Sequence, residues 1–178
     1  MWRPRDFCLY FGRNEFYGGT TMPIFSQLIF QAVRWSARKG LRDEENLTAA
    51  DKKQEARRTG VRGETYAYWY LRRQGYVFVA RNYMPRSAKG EIDLVGYDGE
   101  TLAFVEVRTR TLREELTGLP ELSITTGKQQ VLARTAQRFL AERRIGDCPC
   151  RFDVLAIDNA PGLPPVVRLH KDAFRPQK

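Results

Sequence analysis

Apolar and polar positions change period several times along this chain, and each change marks an element. Ile24, Leu28, Ile29, Ala32, Val33 and Trp35 recur at helical spacing and predict an amphipathic helix over about 23–38. Gln27, Gln31 and Arg34 interrupt it, and it is too short to span a bilayer. No small-residue cleavage motif follows, so neither a signal peptide nor stable membrane insertion is expected. The helix packs on the domain or on a partner, with a membrane-surface helix as the alternative. Over residues 51–74, Glu64, Ala67, Tyr68 and Leu71 fall at i, i+3, i+4 and i+7, and Gly75 supplies a stop. A second helix is predicted there, followed by a strand over 76–80.

Between residues 89 and 110, KGEIDLVGYDGETLAFVEVRTR, the period drops to two on both sides of Asp98-Gly99. That is a hairpin signal. With Asp98 and Gly99 as the loop, Tyr97 is expected opposite Glu100, Val95 opposite Leu102, Asp93 opposite Phe104 and Glu91 opposite Glu106. Residues 109–127 lack a sustained period and read as a long loop, either a flap over a site or disordered. Thr126-Gly-Lys-Gln129 has capping-box spacing and opens a helix. One side of it carries Val131, Leu132, Thr135, Ala136, Phe139 and Leu140, the other Arg134, Arg138, Arg143 and Arg144. Residues 151–157 and 166–169 read as strands, and Ala173-Phe174 as a docked terminal helix turn. The order predicts an α/β (α+β) domain over 51–178, a mixed β-sheet flanked by helices. A 1–50 extension precedes it. Residues 1–21 have no clear period, and Met22 is an alternative start.

Composition adds a partner. Thirty Lys and Arg against 21 Asp and Glu give a formal charge of +9. Nucleic acid is the first expectation, with an anionic membrane surface or plain solubility as alternatives. Three cysteines cannot all pair, Cys148-Pro149-Cys150 lacks zinc-knuckle spacing, and His170 is the single histidine. Zinc ligation and histidine catalysis are poorly supported. Sparse, odd cysteines fit a reducing, cytoplasmic location.

The hairpin supplies the chemistry. Alternation puts Glu91, Asp93, Glu106 and Arg108 on one face, with Asp93 diagonal to Glu106 at about 7–8 Å between Cα atoms. Half-buried carboxylates that approach one another need a cation. One reading is a Mg²⁺ or Mn²⁺ site with Arg108 offsetting anionic charge. The other is a salt-bridged hairpin whose Glu91 and Glu106 reach water. Glu64, on the inward face of its helix, needs donors or a cation of its own, and a plain Arg or Lys partner satisfies that. Arg86, Lys89, Arg110 and Lys128 are candidate phosphate contacts, a solvated surface being the plain alternative. Asp153 shares a face with Arg151, and a structural ion pair is expected.

Asp93, followed thirteen positions later by Glu106-Val107-Arg108, resembles the D…(D/E)-x-K signature of restriction-endonuclease-like nucleases. Gly63-Glu64, Gly75-Tyr76, Arg81-Asn82, residues 90–94, residues 104–108, Lys128 and residues 151–154 together resemble the YraN-like family of small bacterial proteins. The similarity runs from Arg57 to Phe174. That family is functionally uncharacterised and is grouped by fold with Holliday-junction-resolvase-like nucleases. The resemblance implies a restriction-endonuclease-like core and a metal-dependent endonuclease acting on DNA, structured or branched DNA included. It makes Asp93 and Glu106 the Mg²⁺ ligands, Glu64 a third, helix-borne acid of the site, and a homodimer the working form. Arg108 departs from the usual Lys of the signature. Arginine keeps its proton, so it serves as a phosphate clamp and not as a general base. Two other readings stand beside this one: a non-catalytic nucleic-acid-binding module, and a protein-interaction factor acting through the 23–38 helix.

Overall fold

The computed structural model describes residues 24–39, 49–86, 89–111, 124–160 and 163–175. Its elements are α1 (Ile24–Lys39), α2 (Ala49–Arg73), β1 (Val77–Tyr83), β2 (Ile92–Asp98), β3 (Thr101–Thr111), α3 (Thr126–Glu142), β4 (Cys150–Asn159) and β5 (Val166–Phe174). The strands form one sheet in the order β1-β2-β3-β4-β5. All neighbours are antiparallel except β3 and β4, which run parallel and are joined through α3. This is the mixed sheet flanked by helices that the sequence predicts.

Helices cover both faces. Tyr66, Ala67 and Leu71 of α2 pack on Leu94, Ala103, Val105, Leu155 and Ile157. Leu132, Ala136 and Phe139 of α3 pack on the opposite face, against Val95, Leu102 and Phe104. Strand β3 is thus buried on both sides, which explains its nearly unbroken apolar run from Leu102 to Val105. Helix α1 docks on α2 through Phe30, whose ring lies 5.4 Å from that of Tyr66 and 4.5 Å beneath the Arg73 guanidinium. Among the described residues, no helix is long and apolar enough to cross a membrane.

Several local expectations are corrected. Asp98 pairs with Thr101, so the hairpin loop is Gly99-Glu100 and not Asp98-Gly99. Gly99, at the first loop position, has φ +61, as the glycine of a type II′ turn requires. Val95 therefore faces Phe104 and Tyr97 faces Leu102. The expected pairs Asp93 with Phe104 and Glu91 with Glu106 do not form. Because the partner moves by two residues, every side chain keeps its face. Continuing from the Leu94–Val105 pair, Asp93 comes directly across from Glu106 instead of diagonal to it.

Strand β3 continues to Thr111 because Thr109, Arg110 and Thr111 pair with Ile157, Asp158 and Asn159. The expected loop at 109–127 thus starts later, and the flap expectation falls on residues 112–123, outside those described, as do residues 1–21 and Met22. Helix α3 is capped by Thr125, one residue before the expected position. Its hydroxyl accepts from Lys128 N at 3.3 Å, while Gln129 donates to the Ile124 carbonyl instead of closing a capping box. Thr125→Ala is expected to lower stability by about 1 kcal/mol, read from urea denaturation midpoints at unchanged slope. Ala173-Phe174 is strand and not a helix turn: Phe174 pairs with Phe152, and their rings stack at 4.8 Å. Strand β1 carries one extra residue between Phe78 and Ala80. In β5, Lys171, Asp172 and Ala173 lie opposite the single residue between Phe152 and Val154, with Asp172 at φ +51.

A charged network ties the hairpin end of the sheet together. Asp153, 0% exposed, accepts from the Tyr76 hydroxyl at 3.0 Å, Arg151 Nε at 2.9 Å and Asp172 N at 3.0 Å. Arg151 also donates to Asp98, as does Lys171 at 2.7 Å. Burial, followed by the charge of Asp153, pushes the Tyr76 phenol above its ordinary range and keeps it protonated. Burial also pushes Asp98 up, but its bonds to Lys171 and Arg151 outweigh this and leave it below the usual carboxylate value. The ion pair expected between Arg151 and Asp153 is present at the centre of this network.

Candidate active site

The second charged cluster forms where β2 begins, beside the middle of β3. Asp93 Oδ2 accepts a 2.7 Å hydrogen bond from the backbone N–H of Val107. Its carboxyl is nevertheless pushed up to about 7, first by burial and then by the charge of Glu106, with Glu64 adding to the effect. The Val107 N–H and Lys128 pull in the opposite direction. Glu106 is 5% exposed. Its Oε1 meets Lys128 Nζ at 3.1 Å and Arg108 Nε at 3.6 Å, while its Oε2 is buried without a hydrogen-bond partner. A buried carboxylate oxygen with no donor is costly, and a cation answers that cost. Two hard oxygen donors of this kind fit Mg²⁺ or Mn²⁺.

Glu64 is near enough to raise Asp93, but its own Oε2 accepts a 2.6 Å bond from Asn82 Nδ2. Among the described residues, no three His, Cys, Asp or Glu side chains are grouped to hold a metal. The site thus brings Asp93 and Glu106 together, while the third acid is engaged by Asn82. Gly63 brings α2 close. A β-carbon there would overlap Thr109 Oγ1, so the helix rests directly on β3 and carries Glu64 with it. Gly63→Ala is expected to lower stability by about 1–3 kcal/mol, measured by thermal melting.

Sequence reading passed over Asn82 as a site residue. Arg81 pairs with Leu94 and Tyr83 with Ile92, which sets Asn82 beside Asp93. Its φ of +49 is a left-handed conformation that asparagine tolerates better than most residues. The available signal is an asparagine between Arg81 and Tyr83 at the end of the apolar run Val77–Ala80.

The expected phosphate contacts divide. Lys128 lies at the first turn of α3 and is ion-paired with Glu106. Arg110 Nε is bound at 2.6 Å to Asp158, which also accepts from Arg168 at 2.7 Å. Burial pushes Asp158 up, and these two arginines outweigh it, leaving its carboxyl below the usual range. Arg86 and Lys89 are exposed on the approach to β2. Arg108 is half-buried, with its Nε lacking a hydrogen-bond partner.

A family model described as "Uncharacterised protein family UPF0102" matches residues 63–157. That span covers more than half of the chain and contains Glu64, Asn82, Asp93, Glu106, Arg108 and Lys128. The chain belongs to UPF0102. This is the YraN-like family that the motifs resemble. A UPF0102 protein of Geotalea uraniireducens is 41% identical over 115 residues, covering 65% of this chain and 87% of the relative. One from Symbiobacterium thermophilum is 43% identical over 119 residues, 67% of this chain and 98% of that protein. Another, from Lachnoclostridium phytofermentans, is 43% identical over 116 residues, 65% and 91% of the two chains. Helix α1 and strand β5 lie outside the stretch matched by the UPF0102 model.

Proposed function

We propose that this UPF0102 chain is a metal-dependent endonuclease that hydrolyses phosphodiester bonds in DNA, structured or branched DNA included. The Asp93–Glu106 pair carries this reading. Two carboxylates are forced together in a buried place, one with a raised pKa and the other with an unpartnered oxygen, beside two cations. Such an arrangement weakens the fold, and perturbed acids of this kind concentrate at functional sites. Asp93 and Glu106 would hold Mg²⁺ or Mn²⁺, with Glu64 assisting. A bound ion of this class polarises a phosphate and lowers the pKa of water.

The remaining work falls to the chain's own residues. Arg108 offers a planar guanidinium fork, so it offsets charge developing on the phosphate oxygens. Lys128 adds a second positive charge at the same carboxylate. Arg86 and Lys89 extend the positive surface toward the approaching strand, and Arg110, paired with Asp158, borders it. Arg108→Ala is expected to lower kcat by about 10²- to 10³-fold, and Arg108→Lys to retain most activity. Single-turnover cleavage rates check both. A cytoplasmic location fits the free thiols of Cys148 and Cys150. A homodimer is the assembly to test by sedimentation.

A second reading, a nucleic-acid-binding module without catalysis, is favoured by one observation: Glu64 is engaged by Asn82, and among the described residues no three acids are grouped to hold a metal. Labelled linear, single-stranded, flapped and four-way DNA, incubated with Mg²⁺ or Mn²⁺, separates the two. Cleavage by the wild type, lost in both Asp93→Ala and Glu106→Ala while binding persists, supports the nuclease. Tight binding without cleavage in either metal supports the module. Equal cleavage by all three proteins overturns the site.

A further inference from the structure

Beside the carboxylates, α2 and β1 build a surface of a different kind. The Arg81 guanidinium sits 4.5 Å over the Tyr68 ring. Arg72 lies 5.7 Å from the same ring and 5.9 Å from that of Trp69, and its NH1 donates to the Tyr68 hydroxyl at 3.0 Å. Beneath them, Phe78 packs 5.0 Å from Tyr68 and Trp69 meets Tyr68 edge-on at 5.3 Å. Both arginines are exposed, while the rings below are half-buried.

Charge separates these two arginines from Arg108, Arg110, Arg151, Arg168 and Arg175, each of which faces a carboxylate. Among the described residues, neither Arg72 nor Arg81 has a carboxylate within ion-pair distance. Aromatic faces hold them in place instead. Their positive charge is left for an outside anion, and their orientation is fixed in advance. The place is also specific. Tyr68 follows Glu64 by one helical turn, and Arg81 directly precedes Asn82, whose amide grips Glu64.

We infer that Tyr68, Trp69, Arg72 and Arg81 form a subsite for a single-stranded segment of nucleic acid flanking the Asp93–Glu106 site. Phosphates meet the two guanidinium groups, and an unpaired base stacks on their outer planar faces, which the rings support from below. A duplex keeps its base faces stacked inside, so it has no use for such planes. The inference rests on the nuclease reading for the site it flanks, and a measurement made without metal separates the two.

Fluorescence anisotropy of labelled oligo(dT), and of a duplex of equal length, is measured with the full chain in EDTA across a salt series. The wild type is expected to prefer the single strand. Arg72→Ala and Arg81→Ala should each weaken single-strand binding by about tenfold. Each should also reduce the magnitude of the log K against log salt slope by about 0.7. Arg81→Lys should restore the slope but not the full affinity, because it keeps the charge and loses the plane. Melting temperatures near wild type establish that the variants fold.

Single-strand affinity unchanged in both alanine variants overturns the subsite, even if the wild type cleaves DNA. Equal loss on duplex and single strand overturns the assignment to unpaired DNA. Binding that depends on both arginines, in a protein that cleaves nothing with Mg²⁺ or Mn²⁺, upholds the subsite and removes the nuclease.

Discussion

Asp93→Asn is expected to abolish metal-dependent cleavage and, in chelator at pH 8, to raise the melting temperature. Asparagine keeps the shape and an acceptor for the Val107 N–H but removes the charge that burial and Glu106 disfavour. On the proposed reading Asp93 is a cation ligand, and losing one removes several kcal/mol of transition-state stabilisation, so the rate should fall at least about 10³-fold. The stability effect has a definite sign. The folded carboxyl titrates near 7, well above an ordinary aspartate near about 4. Below both values the aspartate is protonated in either state and costs nothing. Between them the unfolded chain releases its proton while the native protein keeps it, so stability falls as pH rises. Above 7 the cost is complete and constant. Wild-type melting temperature in EDTA should therefore decline between about pH 4 and 7 more steeply than that of Asp93→Asn. Mg²⁺ at pH 8 should raise only the wild type. A variant that melts below the wild type at pH 8 without metal would overturn the charge argument.

Asp153→Ala should be the most damaging change outside the site, at about 3–5 kcal/mol. It removes the acceptor of Tyr76, Arg151 and the Asp172 amide at once, and leaves the Arg151 cation with Asp98 alone. Asp153→Asn keeps an acceptor and should cost less. Pairing Asp153→Ala with Arg151→Met, which deletes the stranded charge, should recover part of the loss. Urea midpoints for the wild type, these three variants and Arg151→Met alone check this. Additive losses in the double variant would show that the pair is not coupled.

Legibility from sequence followed the range of the interactions. Helix α2, the hairpin strands and α3 were visible because period and stop signals are local, and Gly75, at φ +96, ends α2 as expected. The hairpin loop lies one residue later than Asp98-Gly99 predicts, since Asp-Gly and Gly-Glu both offer a glycine to a tight turn. Only strand pairing decides between them. The face shared by Asp93 and Glu106 survived the error because side-chain alternation is indifferent to a two-residue change of partner. Strand β5 beyond Leu169 is not legible in sequence, because Lys171, Asp172 and Ala173 break the alternation that marks a strand. Asn82 was missed as a site residue for a similar reason: its role depends on Glu64, eighteen residues away on another element. Lys128 and Arg110 were visible as cations, but their carboxylate partners come from tertiary structure.

The extra residues in β1 and β5 bear on a different question. These are the two outermost strands, and the outer rim of a sheet is where a foreign strand adds itself. One rim is broken between Phe78 and Ala80, the other around Asp172 with Lys171 beside it. Neither presents a long, flat row of free amides and carbonyls. Sheet extension from one molecule into the next is therefore disfavoured, and so is seeding of cross-β growth. Two copies of this chain that associate should meet through their helices.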